Sequence, residues 1–245
     1  SINSEGVKRN REFSYLEVID ALNNDRFYGL GYNDIAREMG SLLAGNRTNV
    51  LNDISFSYTD DGVDKKVVSN ARLELTRNKE GQLRVSNHKE KPELSLDAPF
   101  YGRTFSNEEK KQLFDTGTLG YVDDFTNTKT GEIYGLWVGL DAQLKRPMAR
   151  PAFAIKADAI YGKKLNKKEQ ALWLSGKPVV LEGVGKDKVT RVYIANGASR
   201  NKNGIASYTL EKAKELGIID DPNKKSQGNK KAEGKSAKSG LSQSR

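Results

Sequence analysis

Apolar residues at Tyr15, Val18, Ile19 and Leu22 fall at i, i+3, i+4 and i+7 and predict an amphipathic helix, with Ser14 and Glu17 at capping-box spacing ahead of it. A second helix follows Asn33, with Ile35, Ala36, Met39, Leu42 and Leu43 on its buried side and Gly45 as a left-handed stop. From residue 53 the period falls to two. Ile54, Phe56 and Tyr58 alternate with polar residues, Asp60-Asp61-Gly62 forms a turn, and Ala71, Leu73 and Leu75 alternate with Arg72, Glu74 and Thr76. A further strand through Leu83 and Val85 follows a turn at Asn78 to Gly81. Residues 13–87 therefore read as a helical pair and an antiparallel meander, and His88 to Glu93 as a polar linker.

The next 120 residues contain an internal repeat. Tyr101-Gly102 and Phe105-Ser106-Asn107-Glu108-Glu109 return sixty residues later as Tyr161-Gly162 and Leu165-Asn166-Lys167-Lys168-Glu169. Ser106 with Glu109, and Asn166 with Glu169, have the spacing of an N-cap and its third helical residue. Leu113 and Leu172 are expected to face the core, and Gly117 and Gly176 to end the helices with positive φ. An alternating segment follows in each copy, through Leu119 and Tyr121 or Val179 and Leu181. A turn at Thr130-Gly131, or at Gly185 to Lys188, then leads to a return strand through Leu136 and Val138 or through Val192 and Ile194. Each unit is thus a capped helix plus a β-hairpin, which needs the helix on one face and the other unit beside it to bury enough surface. A terminal helix is expected from Ser207 to Leu216, stopped by Gly217.

The string Pro99-Phe100-Tyr101-Gly102-Arg103-Thr104-Phe105-Ser106-Asn107-Glu108-Glu109-Lys110, with Leu113, Thr116-Gly117, Leu119-Gly120, Thr130-Gly131-Glu132 and Gly139-Leu140-Asp141, resembles a domain of unknown function found on Bacteroidetes conjugative and integrative elements. Gly162-Lys163-Lys164-Leu165, Gln170, Gly176-Lys177 and Val180-Leu181-Glu182-Gly183 continue the resemblance, which spans roughly residues 72–200. It implies a genomic setting of DNA transfer, and neither an activity nor catalytic residues.

Charge changes the picture only when it is localised. Residues 1–160 are close to neutral, whereas residues 161–220 carry 12 Lys and Arg against 6 Asp and Glu, and residues 221–245 carry 7 against 2. A basic excess confined to one end is a cue for an anionic partner such as nucleic acid. Lys163, Lys164, Lys167 and Lys168 cluster at a helix N-terminus, where cations oppose the helix dipole, so helix stability does not account for them. Phosphate oxygens bridging these ammoniums and the free helix amides would. Arg191, Tyr193 and Arg200, on or near the second hairpin, are expected to extend that surface.

Other chemistry reads as structural. With no Cys in the 245 residues, thiolate metal sites, disulfides and cysteine nucleophiles are excluded. The one histidine, His88, is expected to be a solvated linker residue, since imidazole ligands and bases need partners to fix their tautomer. Asp60-Asp61 reads as a turn and Asp123-Asp124 as an approach to one, because neighbours along a strand point to opposite faces. Gly183-Val184-Gly185-Lys186 lacks the spacing and the hydroxyl residue of a phosphate loop and reads as a hairpin turn. Asp34 to Gly40 reads either as the opening of a helix-turn-helix or as part of a plain helical pair, the latter favoured by the Ala44-Gly45-Asn46 interruption. No metal site and no cofactor are expected.

The sequence thus predicts an α+β protein with an N-terminal α+β region over 1–97, repeat units over 98–160 and 161–220, and a disordered basic tail over 221–245. A cytoplasmic, non-enzymatic accessory protein of a mobile element is expected, binding nucleic acid with low sequence specificity. A module that docks other DNA-transfer proteins is the alternative, and a metal-dependent enzyme using Asp60 or Asp123 the third reading. No membrane span is expected.

Overall fold

A computed structural model describes residues 12–24, 27–28, 32–184 and 188–223. The fold is α+β, built from helices and antiparallel sheets. Its first body comprises α1 (Tyr15–Asn24), β1 (Phe27–Tyr28), α2 (Tyr32–Leu43), β2 (Leu51–Asp60), β3 (Val63–Arg77) and β4 (Leu83–Lys89), the strands ordered β1-β2-β3-β4. The capping box forms ahead of α1, where the Ser14 amide donates to Glu17 and the Glu17 amide to Ser14 Oγ. Val18 and Leu22 of α1, Leu42 and Leu43 of α2, and Ile54, Ala71, Leu73 and Leu75 of the sheet close one apolar core. Helix α2 runs unbroken through Gly40 to Leu43, and the chain then enters β2 with no recognition helix, which removes the helix-turn-helix alternative.

The meander differs from its expected form in what covers it. Strand β4 continues through His88 to Lys89 in register with Ala71 to Arg77, so the linker begins later than the polarity of the segment suggests. Arg72 and Glu74, which alternate with the apolar face of β3, are buried at 6% and 8% exposure because the rest of the molecule packs on that side of the sheet.

The remainder comprises α3 (Asn107–Thr116), β5 (Thr118–Thr126), β6 (Ile133–Asp141), β7 (Arg146–Pro151), a 3-10 turn at Ala152–Ala154, β8 (Ala159–Ile160), β9 (Lys163–Lys164), α4 (Lys167–Leu174), β10 (Val179–Leu181), β11 (Arg191–Ala195), β12 (Ile205–Thr209) and α5 (Leu210–Glu215). Strands β5-β6-β7 and β10-β11-β12 each form a three-stranded antiparallel sheet where a hairpin was expected. Two prolines mask β7. Pro147 and Pro151 lack an amide to donate and are tolerated because this strand pairs with β6 alone. Ser207 to Thr209 belong to β12, and the terminal helix starts at Leu210 with Thr209 as its cap. Residues 185–187 of the expected second turn, and residues 224–245 of the expected tail, lie outside the described residues.

Both inner capping boxes form, Ser106 with Glu109 and Asn166 with Glu169. Ahead of each helix a two-residue Tyr-Gly turn has positive φ at both positions, 50° and 76° at Tyr101-Gly102 and 46° and 82° at Tyr161-Gly162. Leu113 and Trp173, sixty residues apart, are the fully buried helix residues, so Trp173 rather than Leu172 fills the core position. The β5-β6-β7 sheet is sandwiched. Val122, Leu136 and Val138 pack with Leu113 and Phe105 on one face, while Tyr121 and Trp137 join Trp173, Tyr193 and Ala195 in a second core on the other.

Candidate nucleic-acid interface

The β8–β9 hairpin turns at Tyr161-Gly162 and delivers Lys163 and Lys164 onto β9, after which Asn166 caps α4 and Lys167 and Lys168 form its first two residues. All four lysines are exposed. Lys163 Nζ donates to the Glu182 carbonyl. The side-chain ammoniums of Lys164, Lys167 and Lys168 have no hydrogen-bonded or ion-paired partner among the described residues. The corresponding turn of the preceding unit is different. Arg103 follows Tyr101-Gly102 and is bound by both Glu109 oxygens at 3.0 and 2.9 Å and by Asp124 at 2.7 Å. Burial by itself lowers the Arg103 pKa, but those carboxylates hold it above the usual arginine value.

The other expected site residues fall elsewhere. Tyr193 is 2% exposed in the second core, so it presents no face to a base and does not belong to the expected contact surface. It is buried because β11 is the central strand of its sheet and is covered on both faces, where alternation had put Tyr193 outward. Arg191 is half-buried on the same strand. Arg200 joins the two bodies: its Nε donates to the Arg47 carbonyl at 3.2 Å while its own carbonyl accepts from the Arg47 amide at 2.9 Å.

Around Arg47 lies a buried charge network that local patterning did not indicate. Its guanidinium, 1% exposed, donates to the carbonyls of Gly197 at 2.7 Å, Ser199 at 3.2 Å and Ala149 at 2.8 Å and approaches Glu74 at 3.4 Å. Glu74 also meets His88 Nε2 at 2.6 Å and Arg150 at 3.5 Å. Burial raises the Glu74 pKa, but the His88 hydrogen bond and the charges of Arg47, His88 and Arg150 outweigh it and hold the carboxyl at about 2. Burial and the charge of Arg47 lower Arg150 to about 10. His88 is therefore a half-buried partner of Glu74, correcting the solvated-linker expectation. A second joint pairs Arg72 Nε with Asp141 at 2.6 Å and its Nη2 with Gln143 at 2.6 Å. Only the chemical types of these residues were visible in the sequence, since their partners lie up to 152 positions away.

Asp60 closes the β2–β3 hairpin with Lys65 as its ion-pair partner, and Asp124 is engaged by Arg103. Among the described residues no group of three or more His, Asp or Glu is placed to hold a metal ion, and no helix is long and apolar enough to cross a membrane.

Between the N-terminal body and the last sheet runs a polar groove of about 520 Å³, lined by Ser41, Asn46, Tyr161, Arg200 and Tyr208 among others. Tyr161, 56% exposed, was part of the repeated Tyr-Gly pair but carried no functional expectation. Comparison with protein-family models, curated proteins and solved structures finds no match to this chain.

Proposed function

We propose that this chain is a non-enzymatic nucleic-acid-binding protein that contacts phosphates through Lys163, Lys164, Lys167 and Lys168 and so discriminates little between sequences. The observation that carries this reading is the contrast between two equivalent turns: one neutralises its cation with Glu109 and Asp124, while the other leaves four ammoniums without a carboxylate partner among the described residues. Phosphate contacts give affinity and orientation without base readout. The two units are, in this reading, copies of one capped helix and three-stranded sheet whose surfaces have diverged in charge. The resemblance to the mobile-element domain supports a role as an accessory factor beside DNA-transfer components. A protein-docking role is the second reading, favoured by Phe153, which stands 89% exposed just after β7.

The test is a salt titration of duplex-oligonucleotide binding by the full chain and by a variant with all four lysines changed to Gln. The log–log slope is expected to flatten by about 2.7 to 3.6 for three to four lost phosphate contacts, with similar weakening on unrelated sequences. An unchanged slope would sink the reading.

A further inference from the structure

We propose that the groove between the N-terminal body and the last sheet seats a single-stranded stretch of nucleic acid, with Tyr161 as the platform on which a base stacks and Arg200 facing the adjoining phosphate. This rests on the nucleic-acid reading above and names the form of the ligand.

Tyr161 occupies the first position of the β8–β9 turn with φ 46°, so the backbone aims its ring outward and not into the core. The ring is held at two points. Buried Tyr193 meets it edge-on at 6.1 Å, and Asn203 Nδ2 donates to its hydroxyl at 3.4 Å. A half-exposed aromatic fixed in this way offers a face at little entropic cost, which is what base stacking requires. Tyr193 thus acts beneath the surface, positioning the residue that meets the ligand.

Arg200 lines the same groove. Its guanidinium reaches the Arg47 carbonyl and, at 3.5 Å, Ser41 Oγ, and it has no carboxylate partner among the described residues. Asn46, Ser41 and Tyr208 add neutral polar groups along the walls, which suit the edges of an unpaired base. The outgoing strand of the Tyr161 turn carries Lys163 and Lys164, so a phosphate backbone leaving the groove meets the lysine surface. Stacking on Tyr161 needs a base released from its neighbours. That condition favours a single strand over a duplex.

The experiment measures binding of fluorescent oligothymidylate, and of a duplex of equal length, to the full chain, to Tyr161→Asn and to Tyr161→Phe. Asn tolerates the left-handed backbone, so an unchanged melting temperature is expected to accompany loss of the ring. The expected result is tighter binding to the single strand, a weakening of about 5- to 100-fold in Tyr161→Asn with the salt slope preserved, and near-native binding in Tyr161→Phe. If Tyr161→Asn binds like the parent while the four-lysine variant loses affinity, the groove assignment is wrong and the phosphate reading stands. Preference for the duplex likewise overturns the single-strand assignment. Failure of the unaltered chain to bind either oligonucleotide at low salt overturns both.

Discussion

Glu74 accepts contacts from one imidazole and two guanidiniums while only 8% exposed, and among the described residues it is the carboxylate that pairs with Arg47, His88 and Arg150. Changing Glu74 to Gln leaves Arg47 and Arg150 buried without a counter-charge, and a loss of about 3 kcal/mol or more near neutral pH is expected in urea unfolding. The sign of the pH effect follows from the depressed pKa. The carboxyl titrates near 2 in the folded chain against 4.5 for an unperturbed glutamate, so its stabilisation is complete above about pH 4.5 and is lost as the pH falls toward 2. Glu74→Gln should remove that portion of the acid lability. An identical acid profile in the variant would contradict the network's role.

At the level of elements, the two helix-ending glycines separate local from non-local demands. Gly117 follows α3 with φ 78°, its amide donating to Leu113 at 2.9 Å, and a Cβ there would meet open space. Gly117→Ala should therefore cost only the left-handed strain, about 1 kcal/mol. Gly176, with φ 71°, is different: a Cβ would lie 2.6 Å from the Gly120 amide nitrogen, where α4 ends against β5. Backbone cannot yield as a flexible side chain can, so Gly176→Ala should cost about 3 kcal/mol or more. Equal shifts in the unfolding midpoints of the two variants would refute the close-approach explanation.

The whole molecule is joined by polar contacts between bodies that each have an apolar core. Arg47 and Arg72 from the first body reach Ala149, Asp141 and Gln143, and carbonyls of the loop at 197–200 accept from Arg47 and Arg150. Both tryptophans, Trp137 and Trp173, sit in the core shared by the last two sheets. Tryptophan fluorescence therefore reports that region, while far-UV circular dichroism reports every element. The two signals should follow a single unfolding transition if the joint couples the bodies, and Arg72→Met should separate them. Non-coincident transitions in the unaltered chain would show that the joint is too weak to couple them.

The sequence alone determined the local pieces: the capping boxes at Ser14, Ser106 and Asn166, the glycine stops after α3 and α4, the period of β2 to β4, and the basic cluster at Lys163 to Lys168. Those signals operate over three or four residues, where backbone geometry and side-chain spacing are nearly context-free. Tertiary structure decided which polar faces are buried. Arg72 and Glu74 alternate with leucines as solvent-facing residues do, yet their partners Asp141 and Arg150 lie 69 and 76 positions on. Tyr193, expected at the surface, is buried for the same reason, while Tyr161, for which no role was expected, is exposed. Alternation places Tyr193 on the outer side of a strand, but α4 and α5 both contact β11 and Val192 and Tyr193, on opposite faces, are both buried, while a left-handed turn places Tyr161 at the groove. Periodicity tells which side chains share a face; only the packing of distant segments tells whether that face meets water.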